Sequence, residues 1–69
     1  MREKLIQARG TRTQEEVATE LDISQKTLSS LERGYRNPSV YLMKKLQDYY
    51  GISMIILFED IFKINYNKM

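Results

Sequence analysis

Apolar residues recur at helical spacing in successive blocks along the chain, and the polar residues between the blocks carry helix start and stop signals. Leu5 and Ala8, with Ile6 beside them, stand among Arg2, Glu3, Lys4 and Gln7, which predicts a first helix over Met1 to Arg9. Gly10, Thr11 and Arg12 then connect to Thr13-Gln14-Glu15-Glu16, a capping box in which the Thr and Glu side chains each satisfy an orphan backbone N–H. A second helix should start at Gln14 and end at Leu21, with Val17, Ala18 and Leu21 inward and Glu15, Glu16, Thr19 and Glu20 outward. Asp22 fits a left-handed corner, and Ile23 is the apolar residue that pins it to the core. Ser24 can cap a third helix from Gln25 to about Arg33, where Gly34 supplies the stop. Leu28 and Leu31 face inward. That leaves Gln25, Lys26, Thr27, Ser29, Ser30 and Arg33 as side chains that hydrogen-bond rather than pack.

Tyr35 to Ser39 reads as a loop, since Pro38 biases Asn37 away from helix and Ser39 can cap the next one. A fourth helix is expected from Val40 to Tyr50, with Val40, Met43, Leu46 and Tyr50 on its core face and Gly51 as its stop. A fifth, capped by Ser53, should run from about Met54 to Asp60. Its run of Met54, Ile55, Ile56, Leu57 and Phe58 cannot all face one side of a helix, so something must cover Ile55 and Ile56. From Phe62 to Asn67 apolar and polar residues alternate, which is strand periodicity, and a lone strand would leave its backbone open to another chain. Two arrangements are open. Ile55, Ile56, Ile61, Phe62, Ile64 and Tyr66 could build a two-fold dimer contact, or the tail could fold back over the fifth helix of a monomer.

Composition narrows the chemistry. With 69 residues the chain supports one small domain, here 1–60, followed by a tail over 61–69 that could serve dimerisation. Cysteine and histidine are both absent, which excludes a disulfide framework, a thiolate or imidazole zinc site and an imidazole-based catalyst. No catalytic base accompanies Ser24, Ser29 or Ser30, and no glycine-rich phosphate loop appears. The adjacent Glu59 and Asp60 read as a solvated helix end. The chain is thus expected not to be an enzyme, and neither a cofactor nor a small-molecule ligand is suggested. The most apolar run, Ile52 to Phe58, is far shorter than the roughly 20 residues a membrane span needs, so a cytoplasmic location without membrane contact is expected. A net charge of +2 favours an anionic partner only weakly. Its placement says more: Arg9, Arg12, Lys26, Arg33 and Arg36 fall within or beside the polar side of the third helix. For Arg9 and Arg12, solvated charge and phosphate contact are equal expectations.

The pattern Gln14, Ala18, Ile23, Ser24, Gln25, Leu31, Glu32, Gly34, Arg36, Asn37, Pro38 and Ser39 resembles the Cro and lambdoid-repressor family of bacterial and phage regulators, often called the XRE family. The match runs from Met1 to about Phe58. The resemblance implies an all-α, lambda-repressor-like bundle of five helices with a helix-turn-helix, here followed by a short C-terminal extension. It also implies binding to double-stranded operator DNA as a homodimer, in the manner of the small regulators of phages and mobile elements, acting by operator occlusion or by a bridging contact with polymerase, with repression expected ahead of activation. Carried over by position, base reading falls to Gln25, Lys26 and Ser30, with Thr27 and Ser29 near the groove wall. Phosphate contacts fall to Gln14, Ser24, Tyr35, Arg36 and Asn37. Two positions depart from the family pattern: Asp22 stands where Gly is common, and Gln7 stands where many members carry the Arg that pairs with the residue here numbered Glu32. Glu32 is then left to a Gln7 hydrogen bond or to another Arg. The other class that fits the same scaffold is a protein-interaction module, antitoxin-like or modulator-like, for which the apolar fifth helix and tail are the best support.

Overall fold

Each predicted cap forms, and the caps set where the helices begin. In the computed structural model, which describes the backbone of residues 1–66 and the side chains of residues 1–62, the Thr13 hydroxyl accepts from the Glu16 N–H at 3.0 Å while the Glu16 carboxylate accepts from the Thr13 N–H at 2.9 Å. Ser24 and Ser39 likewise accept from the N–H of Thr27 and Leu42. The described residues form six helices: α1 Glu3–Arg9, α2 Gln14–Leu21, α3 Gln25–Arg33, α4 Val40–Tyr50, α5 Met54–Leu57 and α6 Glu59–Tyr66. Among them no helix is long and apolar enough to cross a membrane.

One core joins the first five helices. Val17, Ala18 and Leu21 of α2 meet Leu28 and Leu31 of α3, and Leu5, Met43, Leu46 and Leu57 close the cluster from α1, α4 and α5. Burying an aliphatic side chain of this size contributes about 1.5–3 kcal/mol. The α2–α3 corner turns at Asp22, whose φ of 59° and ψ of 43° make it the one left-handed non-glycine among the described residues. The half-buried Ile23 then packs on the core and donates its N–H to the Ala18 carbonyl at 3.0 Å.

The structure departs from the expected pattern in four places. Helix α1 starts at Glu3, and the residue before it, Arg2, is only 5% exposed instead of standing among the outward polar side chains. Val40, assigned to the core face of α4, is exposed, and Leu42 and Tyr49 pack in its stead. The fifth helix ends at Leu57, because Phe58 leaves helical geometry (φ −120°, ψ 43°) and turns its ring fully into the core. This break resolves the apolar run that a single helix could not orient: Leu57 and Phe58 go in, Ile55 and Ile56 stay out.

The last difference is in the extension. It forms helix α6 up to Tyr66, where alternation suggested a strand from Phe62 to Asn67. A helix satisfies its own backbone donors and acceptors, which a strand without a partner cannot do. The acidic Glu59 and Asp60 in its first turn suit the positive end of the helix dipole. Ile61 and Phe62 are half-buried against the core.

Candidate nucleic-acid interface

Helix α3 is held from behind by Leu28 and Leu31, both fully buried, so its opposite side is fixed toward solvent. There Gln25, Lys26, Ser29, Ser30 and Arg33 line, with Gln14 of α2 and Tyr35 beyond Gly34, a shallow concavity of about 460 Å³. Most of the residues expected to touch DNA are therefore neighbours. Thr27 and Ser24 stand apart from this concavity: the Ser24 hydroxyl accepts from the Thr27 N–H at 3.0 Å and donates to Thr27 Oγ1 at 2.8 Å, so both side chains serve the helix start.

Behind the concavity lies a charge. Glu32 is 2% exposed, and a buried carboxylate is costly unless it is paired and hydrogen-bonded. Arg9 supplies the pairing with both arms of its guanidinium, Nε to Oε2 at 2.8 Å and Nη2 to Oε1 at 3.2 Å, while Gln14 Nε2 donates to Oε1 at 2.9 Å. Gln7 is exposed, so the partner that many relatives place at its position comes from two residues further along α1. Arg9 is consequently neither a solvated charge nor a phosphate ligand, and its bond to Glu32 raises its pKa above the usual guanidinium value.

The same carboxylate affects Tyr50 of α4. Burial first, and then the negative charge of Glu32, push the Tyr50 hydroxyl up to about 12, and that hydroxyl has no hydrogen-bond partner among the described residues. Arg12 stays exposed, as one of the two expectations had it, but its guanidinium is engaged. It donates to the Ala8 and Arg9 carbonyls and lies over the rings of Tyr49 and Tyr50, so it braces α1 against α4.

From Gln25 a connected path leads inward. Gln25 Nε2 donates to Gln14 Oε1 at 3.4 Å, a long bond, and Gln14 passes the connection to Glu32. Gln25 at the exposed head of α3 is thereby connected to the buried ion pair beneath it.

After α3, Gly34 takes φ of 82°, which side chains with a Cβ adopt only under strain, and the chain turns into the loop. Tyr35 is 78% exposed and donates its N–H to the Ser30 carbonyl at 3.0 Å. Asn37 turns its carboxamide oxygen toward Arg2, which leaves the NH₂ as the group free to donate outward. Lys26, Arg33 and Arg36 are exposed and have no acidic partner among the described residues, whereas Glu15, Glu16 and Glu20 are exposed on α2. The modest net charge is thus unevenly arranged. Arg2 is the residue near this face that sequence reasoning missed; an Arg ahead of a helix carries no periodic signal, and its acceptors come from distant parts of the chain.

A second exposed surface is apolar. Ile55 and Ile56 are 58% and 49% exposed on α5, while Ile61 and Phe62 are turned partly onto their own core. The side chains of Ile64 and Tyr66, also expected at a dimer contact, lie outside the described residues.

Two short helices joined by a left-handed corner, the second backed by leucines and faced with amides, hydroxyls and cations, define a helix-turn-helix. The chain belongs to the XRE-type helix-turn-helix family, whose model matches residues 2–57. It is 49% identical over 45 residues to an uncharacterized HTH-type transcriptional regulator, y4dJ, of Sinorhizobium fredii (strain NBRC 101917 / NGR234), a match covering 65% of this chain and 58% of that protein. It is 41% identical over 49 residues to the uncharacterized HTH-type transcriptional regulator YqaF of Bacillus subtilis (strain 168), covering 71% of this chain and 64% of that one. In both cases the match spans less than two-thirds of the relative's length. No solved structure matches the chain.

Proposed function

We propose that this chain is a sequence-specific double-stranded DNA-binding regulator that inserts α3 into the major groove and represses by occupying an operator. The observation that carries the reading is the solvent-facing side of α3, where Gln25, Lys26, Ser29, Ser30 and Arg33 border one concavity with Gln14 and Tyr35. An amide such as Gln25 can engage adenine N6 and N7 together, and Lys26 can donate to guanine O6 and N7. Thr27 stands at the groove wall, and Gln14, Tyr35, Arg36 and Asn37 contact phosphates that fix the register, joined by the backbone N–H of Ser24, whose hydroxyl proton is already given to Thr27.

One such helix reads only a few base pairs, so two copies about one helical turn apart give a useful specificity. The exposed Ile55 and Ile56 support a homodimer through the contact expected of Ile55, Ile56, Ile61, Phe62, Ile64 and Tyr66. A palindromic operator follows from that symmetry. Selection of bound duplexes from a random-oligonucleotide pool with the full chain tests the whole reading: a two-fold consensus is expected, and enrichment without any consensus overturns it.

The same exposed isoleucines favour one other reading, a protein-interaction module of antitoxin or modulator type. Duplex binding that stays weak and blind to sequence at physiological salt would decide for it.

A further inference from the structure

Arg2 is buried, yet it lies outside the α3 concavity and pairs with none of that surface's charges. Its guanidinium reaches several separate parts of the chain. Nη1 donates to the Leu31 carbonyl at 2.9 Å and to the Arg36 carbonyl at 2.7 Å, Nη2 to Asn37 Oδ1 at 2.7 Å, and Nε to Asp60 Oδ1 and Oδ2 at 3.0 and 3.2 Å. The Phe58 ring lies 5.2 Å from it, and the backbone N–H of Arg2 donates to the Glu32 carbonyl at 2.8 Å.

The end of α3, the loop that follows it and the first turn of α6 thus meet on one planar fork. Only a guanidinium has donors enough, in a fixed geometry, to serve all of these acceptors. Asp60 is the one acidic group on Arg2 among the described residues, and a buried cation without a counter-charge is driven toward water. We infer that Arg2 is a positioning residue that ties the Tyr35–Asn37 loop to α6, so that the loop holds its phosphate-facing shape only while α6 is docked through Asp60. Asn37 is held with its NH₂ outward for the same reason. The consequence for DNA rests on the function proposed above; the tether itself does not.

The full chain is compared with its Asp60→Ala, Asp60→Glu and Arg2→Lys variants, by backbone NMR order parameters at Arg36 and Asn37 without DNA and by binding to a labelled mixed-sequence duplex. Asp60 is half-exposed, so its loss should lower the melting temperature less than the loss of a fully buried partner would, although it leaves Arg2 buried without its counter-charge. It should also loosen the two loop residues and weaken duplex binding by up to about fivefold, without altering base preference. Asp60→Glu should restore both, and Arg2→Lys should lose both. An Asp60→Ala loop as ordered as the wild type overturns the tether, and a looser loop with unchanged affinity overturns its role in binding. Should the wild-type chain bind no duplex even at low salt, the DNA reading falls by itself, and loop order alone then sustains or overturns the tether.

Discussion

The outward side of α3 and the outward side of α5 are both open to solvent and are built in opposite ways. On α3 the exposed groups are amides, hydroxyls and cations, and they stand on a buried ion pair: Gln25 bonds Gln14, Gln14 bonds Glu32, and Arg9 closes on Glu32. On α5, Ile55 and Ile56 project their apolar side chains from a four-residue helix and are 58% and 49% exposed. A surface that must present donors and acceptors at set positions needs an internal scaffold. An apolar surface that works only by excluding water when covered needs no more than area. The first should therefore be sensitive to substitutions beneath it and the second to substitutions on it alone.

The strongest break is expected at Arg9. Arg9→Ala leaves the Glu32 carboxylate buried with only Gln14 on it, and losing one partner of a buried pair should cost about 3 kcal/mol in urea denaturation. Next comes a contrast within the polar surface. Gln25→Ala should lose about 1–3 kcal/mol of discrimination at a single base position, whereas Arg36→Ala should weaken binding to all sequences alike. Binding arrays that show an unchanged preference for Gln25→Ala would remove the base-reading assignment.

A smaller effect is expected at Tyr50, whose buried hydroxyl lacks a partner. Its pKa in the folded state is raised from 10.0 to about 12, so folding favours the neutral phenol. That contribution is complete below pH 10 and is lost as pH rises toward 12, because the unfolded chain ionises first. Tyr50→Phe should be neutral or stabilising by up to about 1 kcal/mol and should flatten the alkaline decline seen by circular dichroism. Least disturbing to the fold is Ile55→Asp combined with Ile56→Asp, expected within about 0.5 kcal/mol of wild type. Its readout is sedimentation: on the proposed homodimer the wild-type chain should run at twice the monomer mass and this variant at the monomer mass.

The first four helices were legible because their signals are local. Thr13, Ser24 and Ser39 cap within a few residues of themselves, Asp22 and Gly34 turn the chain by their own backbone preferences, and the core leucines follow the helical period. The end of α5 was not legible, since the break at Phe58 answers a demand of the whole core on two successive apolar residues. Helix α6 was misread for a related reason: period-two alternation over a few residues says little until it is known whether a partner strand exists. The solvent-facing polar row along α3 could be read from its spacing, while its assignment to bases came from the family resemblance. The partners of the arginines could not, because Arg2, Arg9 and Arg12 differ only in what the fold brings to them, respectively Asp60 with the loop carbonyls, Glu32, and the Tyr49 and Tyr50 rings.

The amide chain from Gln25 through Gln14 to Glu32 has a consequence for how binding preference could drift. Gln14 is held from within by Glu32, and its carbonyl oxygen accepts from the Gln25 amide at 3.4 Å. On the proposed base reading by Gln25, a change at Arg9 or Gln14 that shifts this grip retunes the favoured nucleotide without altering a residue on α3, so sequence preference becomes editable from beneath the surface that reads it.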